Sequence, residues 1–247
     1  MIYAEDFFFH LKKNKIKFFS GVPDSVLKNL VNFIDKEKKV KHYIAVNEGS
    51  AVSLGIGYHL ATKKLPCIYL QNSGLGNAIN PLISIAHTKI YSIPMLLVIG
   101  WRGSPNINDE PQHNVKGKIT INLIKLLNIK YCILKSNSNF KKLNELIKYS
   151  IKFNKPVACL IEPGNLLTKN VDKNKYKIKN FERLDVLKEV LSKIKKNTKL
   201  ISTTGYTSRE LFYLRNKKSY HSKGKDFYMV GGMGHASAVA LGIAMNK

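Results

Sequence analysis

Six short apolar runs, each closed by a polar or glycine-containing turn and spaced by helix-length segments, limit this chain to very few architectures. They fall at residues 17–20, 42–46, 66–71, 94–100, 131–134 and 156–162. The runs are close to continuous in apolar residues and do not alternate with polar ones. Strands made from them must be covered on both faces, which is the habit of a parallel sheet. Helical segments are expected between them at 25–36, 50–62, 77–87, 119–127 and 140–153. The last carries Leu143, Leu146, Ile147 and Ile151 at one-face spacing. Residues 1–165 therefore read as an α/β domain with a doubly wound parallel sheet.

Residues 166–181 are rich in Lys and Asn, lack apolar periodicity and read as a linker. A second α/β series follows in 182–247. A helix at 184–194 leads to a strand at 199–202, the turn Thr203-Thr204-Gly205-Tyr206-Thr207 and a helix at 208–215. A strand at 227–230 then runs into Gly231-Gly232-Met233-Gly234, and a helix of small residues starts near His235. Two strands are too few for a doubly wound domain. The expectation is the first half of a second α/β domain, in a chain that is incomplete.

The formal net charge is +25, yet only four of the 41 basic residues are arginine: Arg102, Arg183, Arg209 and Arg215. Nucleic-acid readers rely on arginine interleaved with aromatic residues. Here the lysines are dispersed beside Asn and Ile, so they read as solvated faces with no nucleic-acid partner. Their field can still attract anionic substrates. Cys67, Cys132 and Cys159 lack metal-ligand spacing and are expected as three buried thiols in a reducing compartment. The N-terminal residues have no signal-peptide layout, and the longest apolar run, 93–101, is too short to span a bilayer. A cytoplasmic protein without a membrane partner is expected.

Ligands of open parallel sheets bind beyond the carboxyl ends of the strands, and unusual residues gather there. Gly21-Val22-Pro23-Asp24-Ser25 follows the first run, where Asp24 or Ser25 also suits a helix cap. Glu48 follows the second, in Asn47-Glu48-Gly49-Ser50-Ala51. A first-turn carboxylate complements a helix dipole, but between an apolar strand and a small-residue helix it is expected to be partly buried and able to share a proton. Gln71-Asn72-Ser73-Gly74-Leu75-Gly76-Asn77 after the third run offers amides to a heterocycle or carbonyl. It lacks the Gly-Lys-Ser/Thr of a P-loop. After the fourth run, Arg102 offers a planar fork for a phosphonate, sulfonate or carboxylate. His113, in Asp109-Glu110-Pro111-Gln112-His113, is a candidate general acid or base. Singly, each is also an ordinary loop residue; together they mark a site.

These segments, with Gly100-Trp101-Arg102-Gly103, Thr203 to Leu211 and Gly231-Gly232-Met233-Gly234-His235-Ala236, occur in an order that resembles the thiamine diphosphate-dependent decarboxylases across essentially the whole chain. The resemblance implies a pyrimidine-binding domain over 1–165 and part of a diphosphate-binding domain over 182–247, with the cofactor held between two subunits of a homodimer or higher homo-oligomer. It implies that Glu48 hydrogen-bonds the aminopyrimidine ring and promotes its imino tautomer. Met233 would wedge between the cofactor's rings, the Gly231 carbonyl would accept from the exocyclic amine, and Thr204, Gly205, Tyr206 and Thr207 would meet the diphosphate. Gln71 and Asn72 join the cofactor-binding set. Asp24, Ser25 and His113 would face the substrate, with Arg102 as its anion partner.

The implied reaction is non-oxidative decarboxylation of an anionic 2-oxo acid. The expected substrate is 3-phosphonopyruvate, yielding phosphonoacetaldehyde and carbon dioxide in phosphonate biosynthesis. Alternatives are sulfopyruvate, another anionic 2-oxo acid, or a non-catalytic truncated subunit. The family's Gly-Asp-Gly magnesium motif does not occur in these residues, so no residue here is assigned to a metal. The 247-residue chain alone is expected to bind thiamine diphosphate poorly and to turn over little substrate.

Overall fold

The computed structural model describes residues 1–105, 107–136, 140–169, 182–195, 197–221 and 226–246. The chain divides into two units, 1–171 and 172–247. The first opens with β1 (Ile2–Tyr3) and α1 (Ala4–Lys13), then β2 (Phe18–Gly21), α2 (Lys28–Lys36), β3 (Lys41–Ile44), α3 (Glu48–Thr62) and β4 (Cys67–Gln71). It continues through α4 (Leu75–Pro81), β5 (Met95–Gly100), α5 (Pro111–Leu126), β6 (Lys130–Ile133), α6 (Phe140–Phe153), β7 (Pro156–Ile161) and β8 (Leu166–Leu167). Six strands form one sheet in the order β3-β2-β4-β5-β7-β6. Every pair in it is parallel, so their carboxyl ends share one edge.

Alternate residues of the central strands feed two cores. Cys67 and Tyr69 of β4, with Leu96 and Val98 of β5, pack toward α1, α2 and α6 against Phe7, Phe8, Leu11, Leu30, Ile34, Leu143 and Ile147. Ile68 and Leu70, with Leu97 and Ile99, pack toward α3, α4 and α5 against Ala51, Val52, Ala78 and Ile124. This two-sided burial is what continuous apolar strands require. It weakens at the edges: Tyr43 and Ile44 of β3 are exposed, and Cys132 of edge strand β6 is half-buried while Cys67 and Cys159 are buried. The expectation of three buried thiols is corrected to two.

Helix α6 occupies the expected residues; other elements differ. Helix α1 was missed because Phe7-Phe8-Phe9 blurs its periodicity. Burial of Phe7, Phe8 and Leu11 nevertheless fixes it, each contributing roughly 2 kcal/mol. Helix α5 starts at Pro111, not at 119, because a proline at the first helical position costs no hydrogen bond. His113 is therefore helical. The 77–87 segment is α4 followed by a single π turn, Leu82–Ala86. Leu166 and Leu167, within the expected linker, pair with Ile2 and Tyr3; residues 170–181 lie outside the described residues.

The second unit contains α7 (Arg183–Lys193), β9 (Ile201–Ser202), α8 (Tyr206–Arg215), β10 (Phe227–Tyr228) and α9 (Ala236–Ala244). Strands β9 and β10 are parallel, and Leu191, Leu211 and Leu214 form a small core. Beneath the sheet Arg215 Nε donates to Asp226 Oδ2 at 2.7 Å, with both side chains nearly fully buried. Asp226 Oδ1 also accepts from the Leu200 amide at 2.9 Å, and Arg215 Nη1 donates to the Tyr220 carbonyl at 3.2 Å. Pairing plus these bonds is what a buried charge demands. No residue of α9 is buried.

Candidate functional site

Four turns meet at the carboxyl edge of the first unit's sheet. Asn47 ends the β3 turn by capping α3, its Oδ1 accepting from the Ser50 amide at 2.8 Å. That cap starts α3 at Glu48, whose side chain turns inward and is only 4% exposed. Asn77 Nδ2 donates to Glu48 Oε2 at 2.8 Å. Glu48 Oε1 lies over Gly74, where an added Cβ would stand 1.9 Å from it. Glycine at 74 is thus required by the carboxylate itself. A buried carboxylate with one oxygen bonded and the other held against bare backbone is suited to a single N–H donor or proton-sharing ring nitrogen.

The loop that carries Gly74 also reaches the next turn. Asn72 Nδ2 donates to the Arg102 carbonyl and to Thr120 Oγ1, both at 2.9 Å, and its Oδ1 accepts from the Arg102 amide at 3.0 Å. The Asn72 side chain is therefore engaged in holding the end of β5. Gln71, at the end of β4, accepts a short hydrogen bond from Ser73. Trp101 is buried, and its Nε1 donates to the Gly117 carbonyl at 3.0 Å, which makes it part of the packing.

Arg102 turns back across this end of the sheet. Its Nε donates to Asp109 Oδ2 at 2.6 Å, its Nη2 bonds Asp109 Oδ1, and its Nη1 donates to Ser25 Oγ at 3.2 Å. The Asp109 carboxyl is held far below the usual carboxylate range, first by the guanidinium hydrogen bond and then by the Glu110 and Gly103 amides. The same pairing raises the guanidinium. Gly103, at φ +65°, leaves no room for a Cβ: one would lie 1.9 Å from the His113 carbonyl. This contact seats the first turn of α5 against the Arg102 corner.

His113 Nδ1 is buried there with no hydrogen-bond partner among the described residues. Burial, and then the Arg102 charge, lowers its pKa below the ordinary histidine value, so the ring is neutral near pH 7. Asp24 accepts from the Leu27 amide through Oδ1. Its other oxygen is buried over Gly100, with no hydrogen-bond partner among the described residues. Burial pushes Asp24 up to about 6, against the pull of the Leu27 and Val26 amides and of Arg102. The corner thus gathers a carboxyl poised to exchange a proton, a neutral imidazole, a hydroxyl and an arginine edge.

In the second unit, residues 204–207 span the start of α8, whose first residue, Tyr206, follows Gly205 at φ +88°. Thr204 Oγ1 donates to the Val230 carbonyl at 3.4 Å, and Ser208 Oγ to the Met229 carbonyl at 3.3 Å. These bonds bring that turn beside Gly231-Gly232-Met233-Gly234, where Met233 is 45% exposed. The helix start offers main-chain N–H groups to an anion. Glu48, Asp24, Ser25, Gln71, Asn72, Arg102 and His113 lie in the first unit, and the Thr204 and Met233 turns in the second. In the first unit Ser25 and Arg102 are bonded to each other, and Glu48 packs on the Gly74 loop that Asn72 ties to Arg102.

Asn77 and Asp109, the partners of Glu48 and Arg102, were missed as individual site residues. Asn77 lies on α4, apart from Glu48 on α3, and Asp109 lies seven residues from Arg102 in the loop between β5 and α5; only the quoted motifs contain them. Two clefts border the site. One of about 1050 Å³ follows α3 and α4 and reaches Asn47, Gly49 and Ser50 beside Glu48. The other, about 470 Å³, is lined by Ser25, Asn29, Arg102, Asp109 and Gly164. The larger passes the sequence neighbours of Glu48, and Arg102 lines the smaller. Among the described residues no group of three or more His, Cys, Asp or Glu side chains is placed to hold a metal ion, and none of the helices is long and apolar enough to cross a membrane.

Residues 1–123 match the family model of the thiamine pyrophosphate enzyme N-terminal TPP binding domain. The chain is similar to a phosphonopyruvate decarboxylase of Streptomyces hygroscopicus, at 29% identity over 266 residues, which covers 100% of this chain and 63% of that protein. It therefore spans less than two thirds of that relative's length. It is also similar to sulfopyruvate decarboxylase subunit alpha of Methanococcus maripaludis, at 30% identity over 148 residues, 60% of this chain and 86% of the subunit. Its fold resembles that of benzoylformate decarboxylase from Polynucleobacter necessarius, with a TM-score of 0.54 at 18% identity, covering 81% of this chain and 38% of that one. By these matches the chain belongs to the thiamine pyrophosphate-dependent decarboxylase family.

Proposed function

We propose that this chain provides the pyrimidine-binding domain and part of the diphosphate-binding domain of an enzyme that decarboxylates 3-phosphonopyruvate to phosphonoacetaldehyde and carbon dioxide. The observation that carries the reading is the Glu48 carboxylate, buried at the start of α3, bonded by Asn77 and pressed over Gly74. A carboxylate in that setting is placed to share a proton with a ring nitrogen. These residues fit the pyrimidine end of thiamine diphosphate. Thr204, Gly205, Tyr206 and Thr207 would take its diphosphate, and Gly231 and Met233 would support its middle. When bound, the cofactor supplies a carbon nucleophile and an electron sink for loss of carbon dioxide.

The chain's own residues do the rest. Asp24, with its pKa near 6, and neutral His113 exchange protons with substrate and product. Arg102 Nη1 and Ser25 Oγ, on the smaller cleft, receive the phosphonate. Gln71 and Asn72 act by holding the loop that carries Gly74. Magnesium would accompany the diphosphate, but the described residues include no ligand cluster for it, and no step here runs through the metal. The active form is a cytoplasmic homodimer or higher homo-oligomer.

Sulfopyruvate is the second reading, favoured by the likeness to the sulfopyruvate decarboxylase alpha subunit. Both are tested by measuring carbon dioxide release from 3-phosphonopyruvate and from sulfopyruvate by the full gene product that contains this chain, with thiamine diphosphate and magnesium added. Replacement Glu48→Gln should lower turnover by about a hundredfold or more. Undiminished turnover would remove Glu48 from the chemistry, and a preference for sulfopyruvate would reverse the substrate assignment.

A further inference from the structure

The Arg102 corner already contains an anion. The Asp109 carboxylate receives Arg102 Nε at 2.6 Å, Arg102 Nη2, the Gly103 amide at 2.9 Å and the Glu110 amide at 2.8 Å. Four donors converging on one carboxylate form an anion cradle filled by the chain's own side chain. The inner edge of the guanidinium is thereby spent. Nη1 instead bonds Ser25 Oγ, and Arg102, Ser25 and Asp109 all line the 470 Å³ cleft. Arg102 is also the one arginine in the first unit. Its charge is opposed at close range by Asp109 and, more weakly, by Asp24.

We propose that Asp109 is a specificity-determining residue of this cleft, holding Arg102 so that a tetrahedral anion is met by Nη1 and Ser25 alone and setting how the cleft weighs a doubly against a singly charged anion. The inference rests on reading the cleft as the place where the substrate's anionic group binds. A fixed negative charge behind the arginine opposes a dianion twice as strongly as a monoanion. Asp109 therefore narrows the advantage that a bare arginine would give a phosphonate over a sulfonate.

The test needs neither cofactor nor turnover. Methylphosphonate and methanesulfonate are titrated into the full chain by NMR, at a pH that fully ionises the phosphonate. Asp109→Asn should tighten methanesulfonate about tenfold and methylphosphonate about a hundredfold. Adding Arg102→Ala to Asp109→Asn should abolish both gains. Asp109→Ser, which keeps a small acceptor for the Gly103 and Glu110 amides, serves if the asparagine variant does not fold. Equal gains for the two anions, no gain, a loss, or no binding by any variant would overturn the proposal. Failure of the decarboxylase reading would show separately, as absent carbon dioxide release with the anion titration intact.

Discussion

Asp24 is held at a cost to folding, and Asp24→Asn should recover it. Burial moves the carboxyl from 3.8 to about 6. At about 1.4 kcal/mol per pH unit, that gap is worth roughly 3 kcal/mol against the folded state above pH 7, an upper value because part of the side chain reaches solvent. The sign follows from which state ionises first. Below pH 3.8 the group is protonated in both states, and the penalty is absent. Between 3.8 and about 6 the unfolded chain loses its proton first, so stability falls as pH rises, and beyond that it levels off. Asparagine keeps an oxygen for the Leu27 amide and removes the charge. Trp101, the only tryptophan, is buried in the same unit and reports its unfolding alone. Followed by its fluorescence at pH 8, the urea midpoint should rise by about 1 M in the variant, with the advantage gone at pH 4. Turnover should fall, since the penalty maintains a proton-exchanging group. A variant no more stable than the parent at pH 8, or equally favoured at pH 4, would refute the argument.

Gly74→Ala should displace Glu48, because the new Cβ would lie 1.9 Å from Oε1. Loss of more than about tenfold in turnover is expected in the full gene product, whereas Gly76→Ala, whose Cβ meets nothing within 4 Å, should be near neutral by the same carbon dioxide assay. Arg215→Ala should destabilise the second unit by about 3–5 kcal/mol by leaving Asp226 buried and uncompensated. Faster hydrogen exchange at the Phe227 and Met229 amides, which bond the Leu200 and Ser202 carbonyls, is the readout. Replacing both members together, Arg215→Met with Asp226→Leu, should restore much of the protection.

The sheet was legible because β4, β5 and β7 are apolar on both faces, a pattern that few folds other than a covered parallel sheet accept. Helix α6 was legible for the matching reason, a single apolar stripe. Helix α1 was not, since three consecutive phenylalanines carry no period and only Phe7 and Phe8 turn out to be buried. The start of α5 was hidden because Pro111 to Lys118 include one aliphatic side chain, Val115, and so carry no apolar period. At the site, each strand-end residue could be singled out by type and place. Its partners could not: Asn77 finds Glu48 across 29 residues and Asn72 finds Arg102 across 30, separations set by strand order, which local periodicity does not encode.

The double grip of Asn72 on Arg102 has a consequence for how this site can change. Arg102 and the glycine beneath Glu48 are tied to one short loop, fixed at Asn72 by three hydrogen bonds. A substitution that re-aims Arg102 for a new anion pulls on that loop and so on the floor beneath Glu48. Adaptive routes through the β5 corner are therefore encumbered by side effects on the seat of Glu48. Asn29 and Gly164 line the same cleft from outside this linkage. Divergence in substrate among such enzymes should accumulate on that outer rim first, where a trial residue can be tolerated without disturbing the shared chemistry.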